Sequence, residues 1–269
     1  MTDDVLLSPL RASVLQAALD GARFGVDIRK FGIVDSTQRL ARDLDLRGAV
    51  DGTVIVADGQ TAGRGRRGHG WVSPPGTGIY VSVVVAKPSD PRLFAAACAV
   101  ALSDAARAFG VEGGIKWPND LVVDDRKCGG ALVEASSDAH VVAGFGLNLR
   151  RPESTTDGDA LPVFPPGGLF TTSSTPGRER LLVELLRGLE RRTTQAETAS
   201  RALCATFAER DVLRGRRVRI ETDDGIVEGR WTSSHPVDGV EMTLDDGHRA
   251  VFRAEWTRVV AVAPRSGDG

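Results

Sequence analysis

The sequence predicts an α+β fold, a mixed helix-and-sheet unit followed by a small all-β barrel, and three observations predict it. Apolar, β-branched runs at 53–57, 79–85 and 141–149 are strand-length and bounded by turn residues. Alanine-rich and amphipathic stretches with helical spacing separate and follow them. Beyond Gly215 the texture changes to short strands divided by tight turns such as Asp224-Gly225 and Asp246-Gly247, the pattern of a small barrel.

The elements follow in order. Over 9–24, Leu10, Val14, Leu15, Ala18 and Leu19 share one face, which predicts an amphipathic helix. A short strand at 32–34 runs into Asp35-Ser36-Thr37, polar residues suited to cap a helix over 38–46. Strands at 53–57 and 79–85 come next, then a helix over 93–109 that stops at Gly110. A strand from 115 ends at Pro118, and 121–123 and 128–135 form a hairpin about Asp124-Asp125. After the strand at 141–149, residues 150–177 are rich in Pro, Gly, Ser and Thr and read as a loop. Helices are predicted over 178–192 and 201–210, and barrel strands at 217–221, 226–232, 240–244, 249–253 and 258–262. The expected layout is a helical extension over 1–29, a first domain over 30–212, the barrel over 213–263 and a tail over 264–269.

Bulk properties narrow the function. A chain of 269 residues with 41% hydrophobic content can bury a sizeable core. A net charge of −2 gives no overall basic footprint for nucleic acid. Three widely spaced cysteines without a CxxC pair support neither a zinc site nor a disulfide framework. Asp3 and Asp4 at the start argue against a signal peptide, and no apolar run reaches membrane-spanning length. A soluble, reduced, cytoplasmic protein is expected.

The basic residues concentrate in one stretch, Gln60-Thr61-Ala62-Gly63-Arg64-Gly65-Arg66-Arg67-Gly68-His69-Gly70-Trp71. It formally matches GxGxxG, but that motif needs a helix to start within it, and Gly70, Pro74, Pro75 and Gly76 follow instead. What remains is a mobile cationic loop whose arginine forks suit phosphate or carboxylate oxygens. On these residues alone a solvated loop or an RNA-binding segment is also open, although the latter usually repeats and interleaves aromatics. A second stretch holds Lys116-Trp117-Pro118-Asn119-Asp120 and Arg126-Lys127-Cys128-Gly129-Gly130. A lysine entering a buried strand needs an anion beside it, and the glycines allow a ligand close to the backbone. Asn119 and Asp120 bring an amide and a carboxylate to a strand end, as a simple turn would also do. Ser36-Thr37 fits a helix cap or a pair of hydroxyls for a polar ligand. Asn148 in Gly144-Phe145-Gly146-Leu147-Asn148 needs partners if buried. Cys128 reads as packing.

In this order and spacing, Ser36-Thr37, Gln60 to Arg66, Lys116 to Leu121, Arg126-Lys127 and Gly144 to Asn148 resemble the biotin protein ligases, over roughly residues 30–262. The resemblance implies a catalytic domain akin to class II aminoacyl-tRNA synthetases over 30–212, with an SH3-like barrel behind it. It implies two steps. The biotin carboxylate attacks the α-phosphate of Mg·ATP, giving biotinyl-5′-adenylate and pyrophosphate. A lysine of a biotin carboxyl carrier domain, in an acyl-CoA or pyruvate carboxylase, then displaces AMP.

The resemblance assigns roles residue by residue. Lys127 would bridge the biotin carboxylate and the α-phosphate, with Arg64 and Arg66 as further cations near the reacting atoms. Ser36, Thr37, Gln38 and Gln60 would bind biotin, with Gly65, Gly129 and Gly130 against it. Trp71 would stack on adenine. Lys116, Asn119 and Asn148 would serve ATP, the two asparagines near its magnesium-bound phosphates, with no direct protein ligand to the metal assigned. Asp120 would orient or deprotonate the incoming lysine.

Four departures stand out: Gln38 replaces the family's usual Asn, Gly59 its Glu, His69 a loop Arg, and Cys128-Gly129 its Leu-Ala. Gly63-Arg64-Gly65-Arg66 stands in place of the arginine-arginine-serine-glycine-glycine loop of lipoate and octanoate ligases, the nearest rival on the same fold. About 30 residues precede the core, too few for the winged-helix module of some relatives, so no DNA binding is expected. A monomer or weak homodimer is expected.

Overall fold

The computed structural model describes residues 9–153, 163–170, 177–253 and 257–264. Nearly all of the expected tail, the first eight residues of the N-terminal extension and the larger part of the 150–177 loop lie outside the described residues.

The main sheet has seven strands: β1 (Asp27–Val34), β2 (Thr53–Gln60), β3 (Gly78–Ala86), β4 (Gly114–Lys116), β5 (Asp120–Val123), β6 (Arg126–Ala135) and β7 (His140–Asn148). Their order is β1-β2-β3-β7-β6-β5-β4. β1 and β2 are parallel, which requires the crossover helix α2 (Thr37–Asp45); all other neighbours are antiparallel. β3 is central and covered on both faces, which explains its nearly unbroken apolar run.

One face packs against α3 (Pro91–Arg107) and α4 (Arg178–Thr198) through Val54, Val81, Val83 and Phe145 against Phe94, Leu102, Leu182 and Leu189. The mixed layers thus follow from strands and helices that each need a partner for an apolar side. The other face is covered only in part. α2 sits over Ile55, Val84 and Val142 through Ala41. That face also carries Ser82, Gly144 and Gly146, with Ser82 opposite Gly144 in the β3–β7 register. Small residues here make room for side chains laid on the sheet, Gln38 against Gly144 and Trp71 against Gly146.

The local signals explain the boundaries. Ser36 caps α2, accepting from Arg39 N. Asp90 caps α3, accepting from Arg92 N at 2.8 Å and Leu93 N at 3.4 Å, with Pro91 in the first turn where its missing N–H costs nothing. Two expectations change in length. The first helix is only Ala12–Ala18, because Gly21 (φ 74°) and Gly25 (φ 124°) turn the chain, although Leu10, Leu15 and Leu19 are buried as their spacing implies. β1 begins at Asp27, well before 32, since pairing with β2 recruits residues whose pattern alone is half-polar.

After α5 (Ser200–Glu209) the chain forms β8 (Arg217–Thr222), β9 (Gly225–His235), β10 (Gly239–Leu244), β11 (Arg249–Phe252) and β12 (Arg258–Val262). They make an antiparallel sheet in the order β11-β10-β9-β8-β12, and among the described residues β11 and β12 are not paired to close it. A second core joins this sheet to the first: Trp231, Met242 and Val218 pack with Trp117, Ile115 and Phe207. The Trp117 and Trp231 rings lie 6.1 Å apart, tilted by 57°.

Asp211 ties the junction. It accepts from Trp231 Nε1 and Ser234 Oγ, each at 2.6 Å, and from Leu213 N at 2.9 Å. Burial raises its pKa against the pull of these donors. Asp211→Ala would leave the buried indole N–H and hydroxyl without this acceptor, an expected loss of about 2–4 kcal/mol in urea-unfolding free energy. An unchanged unfolding midpoint would show that Asp211 does not hold the junction. Among the described residues no helix is long and apolar enough to cross a membrane.

Candidate active site

The polar groups on the open face form two clusters joined by the cationic loop. The first is buried beneath α2. Thr37 donates from its N and Oγ1 to Gln60 Oε1 at 2.9 and 3.2 Å, and Gln60 Nε2 donates to Ser73 Oγ at 2.8 Å. Ser82 Oγ lies 3.0 Å from Thr37 Oγ1 and 3.1 Å from Gln38 Oε1, with one hydrogen to give between two acceptors. Gln38 Nε2 donates to Val142 O at 3.1 Å. The longer side chain at position 38 fits because position 144 is glycine: a methyl there would lie 2.3 Å from Gln38 Oε1.

The second cluster gathers charge. Asp120 lies between Lys127 Nζ at 2.8 Å and Lys116 Nζ at 3.4 Å. Burial by itself raises the Asp120 carboxyl, but the two ammonium groups outweigh it and hold the carboxyl below the usual range. Lys116 is shifted down as well, for a different reason. Burial lowers its pKa, Lys127 and Arg66 add to this, and Asp120 offsets only part.

Arg66 Nη1 donates to Asn119 Oδ1 at 3.3 Å, and Asn119 Nδ2 donates to Ala131 O at 2.6 Å. Burial lowers the Arg66 pKa, Arg67 adds to the shift and Asp120 opposes it. An exposed guanidinium beside Arg67 and close to the Lys127–Asp120–Lys116 cluster is suited to an anion.

The loop between Gln60 and Trp71 is folded back on itself. Gln60 pairs with Ser73 and Arg64 with Gly70 as antiparallel bridges, around a short 3₁₀ turn at Arg66–Gly68. Gly63 has no room for a side chain, since a methyl would fall 2.4 Å from Trp71 O and 2.8 Å from Ser73 Oγ. This fold carries Trp71 onto the sheet, with its ring 5.3 Å from Lys127 Nζ. Its Nε1 is buried without a hydrogen-bond partner.

A methyl at Gly146 would lie 2.4 Å from the Trp71 ring, and one at Gly130 3.7 Å from it. Gly146→Ala is therefore expected to displace the indole, with a cost of about 1–3 kcal/mol. A shift in tryptophan emission with a weakened ligand response would report it. An unmoved spectrum and unaltered binding would show that the ring does not rest there.

Nearly every residue singled out in sequence is brought to this face. Ser36 is the buried cap of α2. Gly129 and Gly130 lie opposite Leu121 and Asp120, and Gly65 N donates to His69 O at 2.7 Å inside the loop. Asn148 is buried and donates to Gly167 O at 3.1 Å. Arg64 differs: it pairs with Glu134 at 3.4 Å. Cys128 is packing, its thiol buried and pushed up to about 12.

Sequence reasoning missed Ser73, Ser82, Glu134 and the segment around Pro166. Ser82 could have been found as the one serine inside an otherwise apolar strand interior. The Pro166 segment could not, because its role is only to pair: Lys127 N donates to Pro165 O and Gly167 N to Lys127 O, both at 2.9 Å.

This arrangement can hold an uncharged polar group beneath α2 and two anions among Lys127, Lys116 and Arg66. Comparison with known proteins agrees. Residues 31–148 match the Biotin/lipoate A/B protein ligase family. The biotin–[acetyl-CoA-carboxylase] ligase of Mycobacterium tuberculosis is 34% identical over 276 aligned positions, 98% of this chain and 97% of that one. A biotin protein ligase from Aquifex aeolicus, solved with biotin and ATP, superposes with a TM-score of 0.74 over 87% of this chain and 98% of that one, at 21% identity. One from Leishmania major, solved with biotinyl-5-AMP, gives 0.53 over 85% and 99%, at 19%. Similarity of this extent, over nearly the whole length of both chains, places this chain in the biotin protein ligase family.

Proposed function

We propose that this chain is an ATP-dependent biotin protein ligase that makes biotinyl-5′-adenylate and passes biotin to a lysine of a biotin carboxyl carrier domain. The observation that carries this is the Lys127–Asp120–Lys116 cluster, lying beside Arg66 and Trp71 and joined through Ser73 to the Thr37–Gln60 network. In the first step a carboxylate oxygen bonds to the α-phosphorus and the bond to pyrophosphate breaks. Two anions must meet, and Lys127 supplies the fixed positive charge between them. Arg66 adds charge at the phosphates, and Arg64 joins it once released from Glu134.

Thr37, Gln60 and Ser36 hold the far end of biotin. Gln38 acts on it through Ser82. Gly65, Gly129 and Gly130 let the acyl chain lie close to the backbone. Trp71 packs against the nucleotide, and Lys116, Asn119 and Asn148 line its phosphates. In the second step the acceptor amine attacks the acyl carbon, AMP leaves with its bonding electrons, and Asp120 receives the amine's proton or orients its lone pair.

Magnesium fits here as a phosphate-borne ion. Among the described residues no group of three or more His, Cys, Asp or Glu could hold a metal, and Asn119 and Asn148 can meet its water shell. It would neutralise phosphate charge.

The same reading extends to architecture: a class II synthetase-like unit over 30–212, an SH3-like unit over 213–263, and an acetyl-CoA carboxylase or related enzyme as the source of the carrier domain. ATP–pyrophosphate exchange with biotin, lipoate, octanoate or no acid tests it. Exchange with biotin alone is expected. Exchange with lipoate or octanoate would move the chain to the sister activity, and none with any acid would overturn the reading.

A further inference from the structure

The C-terminal sheet reaches back to the turn that carries Lys127. Arg216, just before β8, is buried, its side chain only 8% exposed. Its Nε and Nη2 donate to Ala263 O at 3.0 and 2.7 Å, which anchors the guanidinium in the C-terminal sheet. Its Nη1 donates to Asp125 Oδ1 at 2.7 Å, and its guanidinium carbon lies 5.3 Å from the centre of the Phe164 ring. Asp125 and Phe164 belong to the two segments that flank Lys127. Asp125 lies two residues before it, in the β5–β6 turn. Phe164 precedes Pro165, whose carbonyl accepts from Lys127 N.

The turn needs an external hold. Asp124 (φ 48°) and Asp125 (φ 52°) are both left-handed, as a two-residue hairpin turn of matching twist demands. Neither is glycine, so each costs roughly 1–2 kcal/mol, reduced for a short polar side chain. A strained turn persists where its surroundings over-determine it. Here Arg216 supplies an ion pair to the turn and a face to the segment that pairs with Lys127.

We infer that Arg216 is a positioning residue. It clamps the Asp125 turn and the Phe164 segment together, so that the Lys127 main chain is fixed between them, and the C-terminal sheet thereby sets where the Lys127 ammonium stands. The inference rests on the proposed role of Lys127 in adenylation.

The test compares full-length Arg216→Gln, Asp125→Asn and the double variant with the native chain. Arg216→Gln is expected to lower the pyrophosphate-exchange rate per titrated active site by about tenfold or more, as misplacement of a reacting group does. The KM for ATP should rise, while biotin affinity should change less than about twofold, because the Thr37–Gln60 network is untouched. Asp125→Asn keeps a residue that tolerates the left-handed region and should shift rate and KM the same way. The double variant should be no worse than Arg216→Gln, the sign of a shared interaction. Amide hydrogen exchange over 120–130 should quicken about tenfold in each variant, with β2 and β3 unchanged.

A merely structural Arg216 would lower melting temperature and active fraction but leave the per-site rate and KM unaltered; that result, or additive losses, would overturn the clamp. If the native chain shows no biotin-dependent exchange, the functional reading falls by itself. Hydrogen exchange still decides the clamp: unaltered exchange over 120–130 in Arg216→Gln would refute it.

Discussion

Replacing Lys127 with alanine is expected to lower biotin-dependent ATP–pyrophosphate exchange by about 10³-fold, the upper range for removing one preorganised charge donor. The size follows from geometry. Lys127 Nζ is the cation closest to Asp120, at 2.8 Å, and faces the Trp71 ring at 5.3 Å. It therefore stands on the open side of the sheet, where the two anionic reactants must approach. Lys116 is less exposed than Lys127, 15% against 33%, and Arg66 is engaged with Asn119. Biotin affinity should fall far less than the rate, since the amide–hydroxyl network beneath α2 remains. Near-normal exchange by the variant would remove Lys127 from the chemistry.

Asp120→Asn is expected to cost stability as well as transfer. The substitution keeps the shape but leaves the largely buried Lys116 ammonium and the half-buried Lys127 ammonium without their carboxylate, a loss of about 2–3 kcal/mol at neutral pH, below the cost for a fully buried pair. The sign of its pH dependence can be worked out. The folded-state pKa of Asp120 is depressed, so its contribution is complete above the unfolded carboxylate pKa of about 3.9 and is lost as pH falls through the folded value. The gap in unfolding midpoint between native chain and variant should be wide at pH 7 and close in strong acid. A gap that does not narrow in acid would mean that Asp120 is not the ionised partner of Lys127 and Lys116. Single-turnover transfer from preformed adenylate to a carrier domain should slow in parallel, and transfer at the native rate would remove Asp120 from that step.

Much of this molecule was legible in one dimension. The buried strands at β2, β3 and β7 announce themselves because a strand covered on both faces must be apolar throughout. Asp124-Asp125 marked the β5–β6 hairpin, and Gly110 the end of α3, because turn chemistry is local. The candidate site was legible for a similar reason. A lysine entering a buried strand needs an anion beside it, so Lys116 and Lys127 stand out, and the arginine loop stands out against a chain of nearly balanced charge. β1 was cut short in the sequence reading because its residues are half exposed and owe their strand to β2.

What the sequence by itself determined is the alternation of elements, the change of texture beyond Gly215 and the kinds of group available for chemistry, because these depend on local propensity, periodicity and residue type. Only the tertiary structure decided which groups meet. Asp120 sharing two lysines, Ser82 set between Thr37 and Gln38, Trp71 laid on Gly146, Arg64 held by Glu134 and Arg216 gripping Asp125 from 91 residues away all join distant segments. Such pairs arise from strand register and loop path, and the energy that selects them belongs to packing and desolvation in the folded chain, which no short window of sequence contains.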